Sequence, residues 1–569
     1  MDRRLVLLLV VVAMFGTVAV AGVGATTPAA DHDIVHECAA EPPEDFAAPE
    51  AGNETIGWFD GFWYNEPLDI DASEGITEEE LEKLSARTAA RFEAMRCLPM
   101  ETMPPVEIIT RDEFANETAA QFANVSDRER QFDNAQFSSL LTIGTAEDSI
   151  DVREDSRSVT VGGYYNFVEE RIVVISDGDG DELMIDEPIL AHELGHAIQD
   201  QHFDLETYHR PTKDLNNAKL GVIEGDVHLI EQEYLEHCEE DRWGEPCIEQ
   251  DQDDTAGGAS PPNWGLYFMG FQPYSDGPNF VDYIYTEGYE GENGWDAVNE
   301  LYEDMPESSS QVITPETFGT ESPADLEITS DPSGTWERLT NPTGPDYNVI
   351  GEGGMAAMFL GQTVERYQSN EFDAEIIPLD EIMNPEGVNS PFNYDIWPTD
   401  GWTGDRLYVY ADEDNRTGSV WKTAWEDEEQ RDEFLTAYEL LAEDRGGERV
   451  DGYVHTWEFD GEYDMAVTLY PADDRLWIVT APTVDELSEI YGGIELLEEE
   501  EENGDDTTTP PGDNGVSPGN GDDTITPPNG DDDPTPPADD TDDDTIPGFG
   551  PLAGALALLA LVLWLRRTE

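Results

Sequence analysis

The stretch His192-Glu193-Leu194-Gly195-His196 decides how the rest of this chain is interpreted. It lies in a segment predicted to be a helix, where four residues make just over one turn. Both imidazoles therefore point the same way and can bind one zinc ion. Glu193 lies beside them, placed to act as the base that takes a proton from water. The pattern predicts a hydrolase of peptide bonds. Three fixed residues in five recur by chance. The surrounding sequence therefore has to show whether this match is a true metal site.

Further segments accompany this stretch. They are GYYN at 163–166, RIVV at 171–174, HELGHAIQDQHFD at 192–204, EGD at 224–226, PESSSQVI at 306–313 and GWTGDR at 401–406. Together they resemble a family of exported HExxH proteins, found in haloarchaea as surface proteins and in bacteria as zinc metallopeptidase-like proteins. The resemblance covers about residues 163–434. It implies an α+β fold with a zincin-like metallopeptidase core and peptidase chemistry, without indicating a substrate.

A third protein ligand is needed, because a catalytic zinc takes three and keeps one position open. His202 stands at the spacing of a longer histidine pattern, but Gln199 occupies the place of the glycine turn in that pattern. On a continuous helix His202 is rotated by about 240° from the histidine pair. Glu224, on the next predicted helix, is favoured, because a carboxylate from a second helix completes the glutamate-type zincin site. His228 and Tyr165 are candidates to support a ligand or to stabilise the oxyanion.

The charge of the chain is extreme. Acidic residues outnumber basic ones by 129 to 27, so the formal net charge is 27 − 129 = −102. Phosphate binding needs the opposite sign, which excludes nucleic acid as a partner. Such a chain repels itself in ordinary saline, whereas at molar salt the Debye length falls to about 3 Å and the repulsion fades. The surface therefore resembles that of a haloarchaeal protein living in concentrated salt.

The N-terminus has the pattern of an export signal. Arg3 and Arg4 precede an apolar run that ends near Val23, and segments of this kind are removed from mature proteins. The signal peptide is assigned to residues 1–25, and the arginine pair also fits a twin-arginine signal. An uncleaved anchor is the alternative. Residues 26–54 then form an N-terminal arm.

The C-terminus is predicted to hold the protein at the cell surface. Residues 498–545 form an acidic stalk rich in Asp, Thr, Pro and Gly without Lys or Arg, a composition that does not order itself. Residues 546–569 contain Pro547-Gly548-Phe549, an apolar run and two arginines. This tail resembles the PGF-type sorting signal of haloarchaeal surface proteins, which implies an archaeal sorting enzyme and a membrane lipid in place of the run. Without processing, the run is a transmembrane segment.

Cysteines and sequons also fit an exported protein. Two disulfides are expected from four cysteines: Cys38, Cys97, Cys238 and Cys247. Three pairings are possible; we favour the short loop between Cys238 and Cys247 together with Cys38–Cys97. Zinc binding by these thiols is disfavoured because no CxxC spacing occurs. Sequons mark four candidate glycosylation sites: Asn53, Asn116, Asn124 and Asn415.

The globular part is expected to have two lobes. Residues 55–410 are assigned to the zincin-like metallopeptidase region, and residues 411–497 to a small α+β lobe. Within the first lobe, 158–161 and 171–176 are predicted to form a strand pair. The acidic run at 177–181 alternates like a calcium loop, but Glu182 replaces the expected glycine. An acidic surface loop is therefore favoured there, with calcium as the lesser alternative.

Taken together, these features predict a cell-surface, zinc-dependent metallopeptidase that acts on peptide or protein substrates. One alternative is a non-proteolytic envelope protein that retains a zincin-like fold. Glu193 speaks against it, because a structural metal site does not need that residue. A metal amidase acting on non-protein substrates is the second alternative.

Overall fold

The structure covers most of the globular region. A computed structural model describes residues 38–72, 75–176, 185–240, 242–248, 263–329, 331–342, 344–369, 371, 375–384, 390–494, 496–498 and 545–549. The signal peptide, the candidate calcium loop at 177–181 and all but the two ends of the acidic stalk lie outside these residues.

Helices and strands are mixed along the described chain. The helices are α1 (Glu78–Arg96), α2 (Arg111–Phe122), α3 (Asp127–Ser139), α4 (Ser149–Thr160), α5 (Glu187–Phe203), α6 (Lys213–Glu239), α7 (Trp264–Glu287), α8 (Trp295–Leu301), α9 (Ser309–Ile313), α10 (Gly351–Gln368), α11 (Leu379–Ile382), α12 (Glu428–Asp444) and α13 (Leu487–Ile490). The strands are β1 (Trp58–Phe59), β2 (Phe62–Trp63), β3 (Val106–Thr110), β4 (Val161–Asn166), β5 (Arg171–Ser176), β6 (Glu337–Arg338), β7 (Trp402–Ala411), β8 (Thr417–Trp425), β9 (Glu448–Arg449), β10 (Thr456–Glu458), β11 (Ala466–Ala472), β12 (Arg475–Ala481) and β13 (Thr545–Phe549). The fold is therefore mixed α+β with several sheets.

A four-stranded sheet lies beside the HExxH helix, α5. Its strand order is β13-β4-β5-β3. The β4 and β5 strands form an antiparallel hairpin, β3 pairs in parallel with β5, and β13 pairs antiparallel with β4. Apolar side chains of β4, β5 and α2 form a small core on this sheet. The packing of α5 against β4 and β5 puts the HExxH residues next to the sheet.

Helices surround the other sides of α5. It packs against α1 and α6, and α6 runs along α7, which in turn contacts α10. The start of α1 is set by a capping box, in which Thr77 and Glu80 satisfy each other's backbone N–H groups. This cap fixes where α1 begins, and α1 later supplies the arginines that contact α5 and α6.

A seven-stranded antiparallel sheet forms the second half of the fold, in the order β6-β7-β8-β12-β11-β10-β9. It shares one large core cluster with α3, α7, α10 and α12. The boundary predicted at residue 411 falls at the end of β7, yet β7 and β8 pair across it from Trp402↔Trp425 to Ala411↔Thr417. The sheet therefore begins before the predicted lobe, because β7 forms a hairpin with β8 and also pairs over a long range with β6.

The strand predicted over 158–161 is wrong in its first three residues. Helix α4 continues to Thr160, and β4 begins only at Val161. The β-branched residues there favour a strand locally. The helix is nevertheless started upstream by Asp148, whose side chain accepts a hydrogen bond from Ile150, and it continues until the N–H of Val161 bonds to Arg157.

Both disulfides join described residues. Cys38 is bonded to Cys97 and Cys238 to Cys247, which confirms the favoured pairing. Within the described parts of the chain, no helix is both long enough and apolar enough to cross a membrane.

Candidate metal centre

Buried ion pairs fix the start of α5. Asp186 caps the helix through its side chain. Glu187 accepts hydrogen bonds from Arg91 at 2.6 Å and from the Tyr234 hydroxyl at 2.6 Å, and Arg87 contacts the same carboxylate. The two arginines belong to α1 and the tyrosine to α6. Because buried charges are costly unless they are paired, this group joins α1, α5 and α6 in one arrangement.

Three donor atoms converge between α5 and α6. His192 Nε2 and His196 Nε2 are 3.0 Å apart, and Oε2 of Glu224 lies 3.4 Å from each nitrogen. The side chain of His192 is 3% exposed, and those of His196 and Glu224 are 0% exposed. The histidines meet because one helical turn separates them. The structure thus brings together the three ligands proposed from the sequence.

Hydrogen bonds at the outer ring nitrogens set both histidine tautomers. His192 Nδ1 lies 3.1 Å from Glu231 Oε2, and His196 Nδ1 lies 2.9 Å from Gln199 Oε1. A carboxylate and an amide oxygen can only accept, so each Nδ1 carries the proton. Each Nε2 then directs a lone pair toward Glu224, which is the form that binds a metal.

The neighbours of Gln199 decide which way its amide points. Its Nε2 donates to the Tyr302 hydroxyl at 2.7 Å and to Asp226 Oδ2 at 3.2 Å. Asp226 pairs with Arg96 at 2.6 Å, and its carboxylate oxygens accept hydrogen bonds. The amide nitrogen must face Asp226, and the amide oxygen is left to accept from His196.

A tyrosine from a third helix positions Glu224. Tyr274 on α7 donates its hydroxyl to Glu224 Oε1 at 2.6 Å. The helices α6 and α7 approach closely here, because a Cβ on Gly225 would lie only 2.4 Å from the backbone of Gly277.

This donor set fits zinc. Two imidazole nitrogens and a carboxylate oxygen are ordinary protein ligands of catalytic zinc, and tetrahedral ligands about 2.0–2.1 Å from the ion lie about 3.3 Å from one another. The observed separations are 3.0–3.4 Å. Glu224 Oε2 is buried without a hydrogen-bond partner among the described residues. A cation held by the three atoms would compensate that buried charge.

Glu193 lies on the sheet side of this group. It is 0% exposed, and successive helical residues are about 100° apart, so it stands beside the ligand face. A Cβ on Gly163 of β4 would lie 3.0 Å from Glu193 Oε1. Glycine at this point of β4 therefore lets the carboxylate lie directly against the strand.

His228 is the more exposed member of the neighbourhood. Its Nδ1 lies 2.6 Å from the Glu231 oxygen that also contacts His192, and its side chain is 25% exposed. The His192 and His228 rings meet edge-on with centroids 5.9 Å apart. Burial opposes ionisation of Glu231, but His228 and His192 hold the pKa of its carboxyl well below its usual range.

Two other candidates lie away from the donor atoms. Tyr165 donates its hydroxyl to Asp200 at 2.8 Å, so it ties β4 to the later part of α5. His202 Nε2 lies 2.8 Å from the carbonyl oxygen of Pro99, as expected for a histidine that faces away from the pair. Neither residue belongs to the groups of described side chains that could hold a metal.

Three supporting side chains had no role assigned from the sequence. Gln199 had a usable signal, because it follows His196 by one helical turn. Glu231 also had one, because it follows Glu224 by two helical turns and so lies on the same face of α6. Tyr274 had no local signal, since it lies 50 positions from Glu224 and meets it only through the packing of α6 on α7.

All four candidate glycosylation sites have exposed side chains: Asn53, Asn116, Asn124 and Asn415. They remain predictions. The two disulfides are what an exported protein folding in an oxidising compartment is expected to carry.

Comparison with known proteins bears on the second half of the chain. A family model described as a domain of unknown function, DUF8575, matches residues 337–491. These residues run from β6 to α13 and hold the seven-stranded sheet, whereas the candidate metal ligands lie outside them. No curated protein matches the chain. No solved structure matches it either.

Proposed function

We propose that this protein is a zinc-dependent metallopeptidase with a zincin-like core. The observation that carries the proposal is the buried group of His192, His196 and Glu224, with Glu193 beside it. A purely structural zinc site is closed by four protein ligands, whereas this group offers three and adds a carboxylate placed as a base. The position of α5 and α6 beside a sheet edge supports the zincin-like assignment.

When bound here, zinc supplies a Lewis acid that polarises the scissile carbonyl and acidifies water. Glu193 takes the proton of the attacking water and returns it to the leaving amine nitrogen. Gly163 lets this carboxylate lie against β4, beside the ligands rather than among them. Glu231 and Gln199 keep the two histidines in the tautomer and orientation that binding requires.

His228 is the side chain we propose for contact with the oxyanion. It lies at the exposed margin of the group, and Glu231 holds its Nδ1. A carboxylate in this position orients the ring. Tyr165 is the less suitable of the two candidates, because its hydroxyl already donates to Asp200.

We propose further that the protein is exported and held at the cell surface by its C-terminus. The disulfides support export. The acidic composition and the tail that resembles a PGF-type signal support a haloarchaeal surface protein attached by a lipid, with a transmembrane anchor as the alternative. Its substrates are then peptides or proteins outside the cell.

Metal analysis combined with a peptide-library digest of the purified full chain in molar salt tests this function. We expect about one zinc per chain and cleavage of peptides. Glu193→Gln is the matched variant, because it keeps the size of the side chain and removes the base. It should retain zinc and lose turnover.

Each other result has a definite meaning. Absence of stoichiometric metal after zinc reconstitution refutes the site. Bound zinc with no cleavage of any peptide favours the non-proteolytic surface protein. Cleavage confined to non-peptide amides favours the amidase. Release of zinc by Glu193→Gln would make that residue a ligand and overturn its assigned role.

A further inference from the structure

The free edge of β4 is covered by the chain's own C-terminal segment. The β13 strand, Thr545–Phe549, pairs antiparallel with β4, and the register includes Ile546↔Tyr165 and Gly548↔Gly163. Between Glu498 and Thr545 lie residues 499–544, which number 46. A chain of that number of residues can reach at most about 150–165 Å, so its length allows Thr545–Phe549 to lie on the same globular part.

This edge is a place where an extended peptide can bind. Without β13, β4 would present unpaired N–H and C=O groups, which template the addition of another strand. Strand addition of this kind gives affinity through backbone hydrogen bonds and accepts many sequences. The pairing with β13 shows that the edge accepts a strand containing Pro547 and Gly548.

The covered edge is next to the proposed base. Gly548 pairs with Gly163, and Gly163 is the residue against which Glu193 packs. In the full chain Glu193 is 0% exposed, yet a base has to reach its substrate. The strand that lies across the Glu193 side of the candidate metal centre is β13.

Pro547 determines which backbone groups form the ladder. Opposed residues of an antiparallel pair alternate between hydrogen-bonded and non-hydrogen-bonded pairs. Proline has no N–H, so Pro547 belongs in a non-hydrogen-bonded pair with Tyr164. The N–H groups of Ile546 and Gly548 therefore point toward β4, and that of Thr545 points away.

We propose that Thr545–Phe549 is a tethered competitor that occupies the peptide-binding edge of β4 and blocks the metal centre until it is displaced or removed. The inhibitory part of this inference rests on the proposed peptidase function, whereas the docking of the segment does not. The class of ligand that the edge takes is an extended peptide, bound through its backbone antiparallel to β4.

Hydrogen exchange on the full chain tests the docking directly. Ile546→Pro removes an N–H that points toward β4, whereas Thr545→Pro, the matched control, removes one that points away. Exchange of the Gly163 and Tyr165 amides should become about tenfold faster in Ile546→Pro, as expected for loss of a backbone hydrogen bond. It should not change in Thr545→Pro. The amide of Tyr164, which faces β5, is the internal reference.

Peptide hydrolysis by the same two variants tests the inhibition. Ile546→Pro should cleave peptides about tenfold faster than the unaltered chain, and Thr545→Pro should not. Equal exchange at Gly163 and Tyr165 in all three proteins, or equal acceleration by both prolines, overturns the docking. Faster exchange without a gain in cleavage, in a chain that does cleave peptides, overturns the inhibition. Faster exchange in a chain that cleaves nothing leaves the docking in place and refutes the peptidase function instead.

Discussion

Replacing Glu231 with alanine is expected to weaken zinc binding by about 10- to 100-fold, although Glu231 is not a ligand. Its carboxylate lies 3.1 Å from His192 Nδ1 and 2.6 Å from His228 Nδ1. Removal leaves the His192 ring free to rotate and to move its proton to the nitrogen that should bind zinc. The loss is one of positioning, so it should appear in metal affinity and not in the number of zinc ions bound at saturation.

The expected loss of zinc affinity follows from one contact, the hydrogen bond between Glu231 and the ligand His192. A hydrogen bond to a charged group contributes about 1.5–3 kcal/mol, and about 1.4 kcal/mol changes a binding constant tenfold. Glu231→Gln keeps an acceptor oxygen and loses the charge, so its loss of affinity should be smaller than that of Glu231→Ala. His228→Ala removes the second contact of the carboxylate and the edge-on ring contact with His192, but it removes no hydrogen bond of His192, and it should leave affinity nearly unchanged.

Competition against a chelator of known affinity, in molar salt, measures this change. Glu236→Ala is the matched control, because Glu236 is an exposed acid on the same helix. The reasoning is refuted if Glu231→Ala binds zinc as tightly as Glu236→Ala does. A loss of affinity in His228→Ala as large as that in Glu231→Ala would instead make His228 part of the metal site.

Four further outcomes are expected. His196→Ala should lose both zinc and turnover, as read by metal analysis and peptide hydrolysis. Glu224→Ala should weaken zinc binding far more than His202→Ala; the reverse ranking would exchange their roles. Tyr274→Phe should weaken zinc binding by about 10- to 100-fold, because it removes one hydrogen bond of about 1.5–3 kcal/mol from the charged Glu224 carboxylate. Burial raises the pKa of Glu93 from 4.5 to about 8, so the folded state holds its proton more tightly. That stability is fully present below pH 4.5 and falls as pH rises toward 8, by at most about 1.4 kcal/mol per pH unit; Glu93→Gln should flatten this slope in denaturant unfolding at constant salt.

The convergence of His192 and His196 could be predicted because its signal is local. The spacing of His192 and His196 places both on one helical face whatever the rest of the chain does. Glu224 was chosen by analogy with sites completed from a second helix. His202 was disfavoured because Gln199 offered no turn, and its bond to Pro99 agrees with that argument.

The parts that escaped prediction depend on long-range contacts. Tyr274 reaches Glu224 only because two glycines let α6 and α7 approach. The sequence of neither helix indicates that it packs against the other. The seven-stranded sheet crosses the predicted boundary at 411 because β7 pairs with the distant β6 as well as with β8. At the end of α4, a run rich in β-branched residues continues the helix that starts at Asp148. Its local preference for a strand is therefore overridden by the helix that precedes it.

Helix α1 explains how a chain with so few cations keeps the candidate site in place. The whole chain has 27 Lys and Arg residues, and three arginines of α1, Arg87, Arg91 and Arg96, are at most 1% exposed. Arg87 and Arg91 hold Glu187 at the start of α5, and Arg96 holds Asp226 on α6. Salt screens exposed ion pairs strongly and buried pairs much less. The arginines are thus placed where concentrated salt does not weaken them, between the two helices that carry the candidate ligands. The orientation of those helices should therefore be less sensitive to salt than the acidic surface around them.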